Sequence, residues 1–268
     1  MIRFRKPQSR KSGIPPYFQF AHLTEINGLA HGVFTRRGGI SARPFDSLNT
    51  SLSAGDDPAA VYANRKRIAR ALGAGRLVFP HQVHGRRVVA LSTAVEDTPQ
   101  RIKALKADGL ATNQPGLWLA IQAADCQAVL LADPVRRVVA NVHAGWRGSV
   151  ENIVGRTVRT MARTYGCRPG DIRAGIGPSL GPCCAEFVNY REKIPKRWWT
   201  FKDTRHHFDF WAITREQLAA EGVLRTNIVI SGMCTRCRPD LFFSYRQSRI
   251  TGRFTAVIGW RETAPGKT

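Results

Sequence analysis

The sequence predicts a mixed-sheet α+β fold, and three observations carry that expectation. Short apolar, β-branched runs outnumber helical patterns. Segments 129–132 and 138–142 are such runs separated by an Asp133-Pro134 turn, which reads as antiparallel pairing. No Pro/Ser-rich linker, repeat period or low-complexity tract interrupts residues 20–262, so one domain is expected rather than two.

Taken in order, residues 1–13 carry Arg3, Arg5, Lys6, Arg10 and Lys11 without an acid, and residues 1–19 are expected to be a basic flexible arm. A strand is expected at 32–35. Asp57-Pro58 then suits the entry to a helix over 61–72. Strands are expected at 77–80 and 88–91. The apolar runs 117–121 and 129–132 flank Asp125-Cys126, and the run 138–142 ends at His143. Gly145 and Gly148 follow, permitting a tight turn. Ser149 is expected to cap a helix through Tyr165, with Val150, Ile153, Val154, Val158 and Met161 as its apolar stripe. Strands at 172–176, 227–230 and 255–259, and a helix at 213–221 entered near Phe210-Trp211, complete the domain; 263–268 reads as a tail.

The chemistry centres on His143, on Cys126 and on the pair His81 and His84. Imidazoles and a thiol near the ends of apolar runs form a borderline-soft ligand set, suited to Zn²⁺ or copper rather than Mg²⁺ or Ca²⁺. Two His and one Cys leave one tetrahedral position open, the pattern of a catalytic rather than a structural zinc. The plainer alternative is a small core thiol and a hydrogen-bonded imidazole. A cysteine hydrolase, with Cys126 activated by His143, would use the same residues.

Composition bounds the rest. The net charge of +22 favours anionic ligands. The basic residues are scattered and no nucleic-acid-binding signature accompanies them, so specific nucleic-acid binding is not expected. A metal-stabilised nucleic-acid-binding protein without turnover is kept as the non-enzyme alternative. No segment approaches a membrane span, no apolar stretch follows the basic N-terminus as in a secretory signal, and a cytoplasmic location is expected. The six cysteines then read as reduced thiols. Cys234-Thr235-Arg236-Cys237 is a C-x-x-C pair. It has no properly spaced second pair, because Cys183 and Cys184 are adjacent and read most simply as small buried side chains.

Ordered motifs add a resemblance. Thr35-Arg36-Arg37-Gly38-Gly39-Ile40-Ser41, Asn64-Arg65, Gln82-Val83-His84-Gly85, Ala107-Asp108-Gly109-Leu110, Asp125-Cys126, His143-Ala144-Gly145-Trp146-Arg147-Gly148, Cys234-Thr235 and Phe243-Ser244-Tyr245-Arg246 occur in sequence. Over about residues 20–262 the chain resembles the multicopper polyphenol oxidoreductase (laccase-like) family, also described as purine nucleoside phosphorylases with adenosine deaminase activity. The resemblance implies two central mixed sheets with helices outside, and a metal site of His84, Cys126 and His143, with His81 as a neighbour. It implies Arg36 and Arg65 as anion-binding residues, with Asp125 orienting a ligand or moving a proton. The implied reaction is zinc-dependent phosphorolysis of adenosine, inosine, guanosine or methylthioadenosine, with adenosine deamination as a further activity. Purine nucleoside and phosphate are the implied partners. Copper oxidation of phenols, the older family description, needs several copper centres, and the chain has only seven His. Two positions depart from the family pattern: Gln127-Ala128 stands where a proline is frequent, and Ala185 where an aromatic is usual.

Overall fold

The computed structural model describes residues 1–5, 14–92 and 104–262. Among the described residues, twelve strands form two six-stranded sheets, both mixed. The first has the order β1 (Ile2–Arg5), β2 (Tyr17–Phe20), β3 (Leu29–Phe34), β12 (Phe254–Trp260), β7 (Leu117–Ala123), β4 (Arg76–Val78). Only its β4–β7 pair is parallel. The second runs β11 (Ile228–Ile230), β10 (Arg173–Ile176), β8 (Gln127–Asp133), β9 (Val138–Ala144), β6 (Gly109–Thr112), β5 (Val88–Ala90), with parallel pairs at both edges.

The sheets pack face to face. Phe18, Phe20, Leu119, Ile121 and Ile258 of the first meet Leu110, Ala128, Leu130 and Val139 of the second. Outer faces are covered by helices. Ile68 and Leu72 of α2 (Pro58–Leu72) pack on Phe34, Trp118 and Val257. Ile153, Val154, Val158 and Met161 of α4 (Ile153–Tyr165) pack on Val129, Leu131, Val138 and Val142. The layer order is therefore α-β-β-α, as the resemblance implies. It explains why β8 reads as an unbroken apolar run: alternate side chains meet the facing sheet and the helix, and neither face sees water. Several buried polar side chains accompany this core, His31, Thr112 and Asn141 among them. The buried Asn141 donates from Nδ2 to the carbonyls of Leu119 (3.0 Å) and Ala256 (2.9 Å), tying β9 to two strands of the opposite sheet.

Several details differ from expectation. Ile2–Arg5, expected in the mobile arm, pairs antiparallel with β2, with Arg5 Nε donating to Gln19 Oε1 at 2.9 Å; Lys6, Arg10 and Lys11 lie outside the described residues, as does the 263–268 tail. Strand β6 carries a glycine and only one β-branched residue, so it gives little sequence signal, yet it is buried throughout and pairs with β9. Phe79-Pro80 falls outside β4. The helix expected from Ser149 to Tyr165 is two, α3 (Trp146–Val150) and α4. Asn152, at φ 53°, breaks them apart and caps α4 by accepting from Gly155 N, whereas Ser149 lies within α3. The short helices α1 (Ala21–Thr24) and α5 (Tyr190–Lys193), and α6 (Phe210–Ala220) capped by Asp209, complete the fold. Among the described residues no helix is long and apolar enough to cross a membrane.

Candidate metal centre and substrate cavity

The β7–β8 turn carries Asp125 and Cys126, with Asp125 at φ 89°. His143 is the penultimate residue of β9, paired with Ala128 across the ladder from β8. Ladder pairing therefore sets Cys126 beside His143, although seventeen positions separate them in sequence. His84 arrives from the loop after β4, at φ 58°. The ligand atoms of His84, Cys126 and His143 all lie within 4.8 Å of one another, and the two imidazoles meet edge-on. Gly145 makes this approach possible, because a Cβ there would sit 3.1 Å from Cys126 Sγ and 3.3 Å from His84 Cδ2. His81 lines the same cavity but is not part of the ligand cluster, and its segment bridges Lys106.

Asp108, wholly buried before β6, organises both histidines. Its carboxylate accepts from the backbone N–H of Val83 (3.2 Å), His84 (2.9 Å) and Gly85 (2.8 Å). Its Oδ1 also lies 2.8 Å from His143 Nδ1. That contact leaves Nε2 of His143 as the nitrogen available to a metal, the usual device by which a carboxylate orients an imidazole. Burial disfavours ionisation of Asp108, but hydrogen bonding and charge at His143, with the backbone donors, hold its pKa below the ordinary value.

The triad is strongly coupled. Burial opposes a thiolate at Cys126, yet the charge and hydrogen bond of His143, with His84 adding to both, bring it down to about 6. Burial likewise opposes an imidazolium at His143, but Cys126 and Asp108 raise it to about 9. An anionic sulfur and two imidazoles form the donor set that zinc takes with an open fourth position, so the residues fit such an ion.

These residues open onto a cavity of about 650 Å³. Arg65, Arg246 and Arg253 line it, as do Trp146, Phe187, Phe210 and Tyr245. Arg65 is buried, stacks 3.9 Å from the Phe79 ring and donates from Nε to Thr50 O at 2.9 Å. Arg253 hangs on the same segment, its N–H donating to Asn49 Oδ1 at 2.8 Å. Burial pulls the Arg253 pKa down, while the charges of Cys126 and Asp125 raise it. Asp125, the one acid lining the cavity among the described residues, accepts from Thr235 Oγ1 and from Arg246 N, both at 2.6 Å, so its carboxylate ties two loops together. Arg36 stands apart from this cavity. It donates to the carbonyls of Asp46 and Pro239, pairs with the Asp46 carboxylate at 3.4 Å and covers Phe243.

The sequence reading assigned no role to Asp108 or Arg253. Asp108 stands in the quoted Ala107-Asp108-Gly109-Leu110 motif, a usable signal, whereas Arg253 is one of many arginines and gives none. Of the two departures, Gln127 is buried, donating to Phe210 O at 2.9 Å and accepting from Thr214, and Ala185 lines the cavity.

Comparison with known proteins agrees with this architecture. The chain is 34% identical over 269 residues to purine nucleoside phosphorylase YlmD of Geobacillus stearothermophilus, covering 94% of each chain. It is 40% identical over 243 residues to purine nucleoside phosphorylase ORF3 of Streptomyces griseus, covering 87% of this chain and 95% of that protein. The crystal structure of YlmD from Geobacillus stearothermophilus superposes with a TM-score of 0.84 at 32% identity, over 97% of this chain and 99% of that one. Residues 30–261 match the family described as multi-copper polyphenol oxidoreductase laccase, and the chain belongs to that family.

Proposed function

We propose that this protein is a zinc-dependent purine nucleoside phosphorylase. One observation carries the reading: a histidine–cysteine ligand triad, arginine guanidiniums and an aromatic wall line a single cavity large enough for a nucleoside. In the reaction, a phosphate oxygen bonds to ribose C1′, the bond from C1′ to purine nitrogen breaks, and the base leaves with the electron pair and takes up a proton. Arg65 and Arg253 bind phosphate, and guanidinium groups suit its oxygens geometrically. Trp146, Phe187 and Phe210 offer the purine an apolar wall and shield the site from water. His84, Cys126 and His143 would hold a zinc ion, which would supply Lewis-acid chemistry at the cavity. Asp108 fixes the donor nitrogen of His143. We assign Arg36 the task of holding the 36–48 loop, because its guanidinium is engaged away from the cavity.

Adenosine deamination, implied by the resemblance, requires a carboxylate for proton transfer. The cavity offers Asp125, whose two oxygens are engaged by Thr235 and Arg246, so phosphorolysis is the favoured reading. Copper oxidation of phenols is disfavoured by the ligand count: among the described residues, the triad is the one ligand cluster that contains histidine.

The test incubates zinc-loaded protein with adenosine or inosine, with and without phosphate. Expected is phosphate-dependent release of the free base, lost in Cys126→Ala. Arg65→Ala and Arg253→Ala are expected to raise the KM for phosphate, and Arg36→Ala to leave it unchanged. Phosphate-independent inosine formation from adenosine would move the assignment to deamination. No turnover of either nucleoside would overturn it.

A further inference from the structure

Four cysteines outside the catalytic triad converge at one end of the second sheet. Strands β10 and β11 are parallel neighbours, so the loops that follow them leave the same sheet end side by side. The bridge from Ser179 to Cys234 continues their pairing into these loops. Cys183 and Cys184 stand on the first loop, Cys234 and Cys237 on the second, and their sulfurs all lie within 4.8 Å of one another. We propose that Cys183, Cys184, Cys234 and Cys237 form a second, structural zinc site of four thiolates.

Three features support it. Cys237 Sγ lies 3.6 Å from both Cys183 Sγ and Cys184 Sγ. A tetrahedral zinc with sulfur at about 2.3 Å requires sulfur–sulfur edges of about 3.8 Å. Both 3.6 Å separations lie close to such an edge. Second, Cys234 lies in a C-x-x-C turn in which Arg238 N donates back to Cys234 O, and Gly181 N–H points at Cys234 Sγ at 3.3 Å. Such N–H donors surround the thiolates of structural zinc sites. Gly181 has no room for a side chain: a Cβ there would lie 2.7 Å from the Trp211 ring and 3.1 Å from Cys234 Cβ. Third, Cys183 and Cys237 are exposed while Cys184 and Cys234 are buried, so an ion would cap a pocket of thiols from the solvent side.

The site also has a task. Thr235, inside the C-x-x-C, donates to Asp125 beside Cys126, and Arg246 Nη1 reaches Cys184 O at 3.4 Å. Cross-linking these loops would fix the cavity wall that carries Ala185, Phe187 and Arg246. The ion would be structural, with all four positions filled, and would take no part in the chemistry.

The experiment uses Cys126→Ala protein purified under reducing conditions, which removes a ligand of the other site. The zinc content is expected to halve relative to the parent protein, and X-ray absorption of the remaining zinc to show an all-sulfur shell at about 2.3 Å. In the parent protein, zinc is expected to protect Cys183 and Cys237 from alkylation, and chelation to expose them; this readout holds even if variants of the four cysteines fail to fold. A Cys126→Ala protein free of zinc, a nitrogen or oxygen ligand shell, or a disulfide among the four cysteines by intact mass would each overturn the proposal.

Discussion

Asp108→Asn tests the most specific claim of the structure, that one buried carboxylate organises both ligand histidines. Oδ1 serves His84 N–H and His143 Nδ1, and Oδ2 serves the N–H groups of Val83 and Gly85. An asparagine keeps one oxygen. With that oxygen toward His143, its NH₂ faces two backbone donors that then lack an acceptor. At roughly 1.5–3 kcal/mol for each hydrogen bond to a charged group, the loss is about 3–6 kcal/mol. With the amide flipped, the NH₂ faces His143 Nδ1 and favours the tautomer protonated at Nε2, which cannot coordinate a metal. Either arrangement harms the site, and removal of such a partner commonly costs about 10–100-fold in metal affinity. Urea unfolding of metal-free protein measures the first effect, and competition with a chromogenic zinc chelator the second. The expected result is a loss in both, with kcat/KM falling alongside. A variant within about 0.5 kcal/mol of the parent, as an ordinary surface change would be, and with unchanged zinc affinity, would refute the role assigned to Asp108.

Gly145→Ala is expected to weaken zinc binding by crowding Cys126 Sγ and His84 Cδ2, whereas Gly75→Ala, which has open space around it, is expected to be silent; equal zinc affinities in the two variants would contradict the packing argument. Asn141→Ala removes two hydrogen bonds between the sheets and leaves a void, an expected loss of about 2–4 kcal/mol in urea unfolding. His31 gives a pH dependence. Burial first, and then the neighbouring His22, lower its pKa from 6.5 to about 3, while its Nε2 accepts from Phe20 N at 2.8 Å. Between those values the unfolded chain binds a proton that the folded chain refuses. Stability is therefore complete above about pH 6.5 and falls as pH drops toward 3, by up to about 1.4 kcal/mol per pH unit from this residue. His31→Gln should flatten the pH 4–6 slope of unfolding free energy, and an unchanged slope would rule out this account.

The sequence by itself determined the apolar strands and the entry to α2 at Asp57-Pro58, and it named His143, Cys126 and the pair His81 and His84 as candidate ligands. Each rests on local pattern: a β-branched run, a cap followed by proline, a thiol or imidazole beside an apolar segment. Weakly patterned elements escaped it. Strand β1 lies in a basic stretch and β6 is short and poor in β-branched residues; both exist because a neighbouring strand pairs with them. The same limit applies at the site. Arg36 and Arg65 look equivalent as motif arginines, but one closes a surface loop while the other lines the cavity. Asp108 lies thirty-five residues before His143, and its role follows from the β6–β9 pairing. Adjacent Cys183 and Cys184 are an unpromising half of a metal site until β10 and β11 bring Cys234 and Cys237 beside them. Local pattern names the residues able to do chemistry. Long-range pairing of strands selects which of them meet, because the distances that govern coordination and hydrogen bonding are set across the sheets and not along the chain.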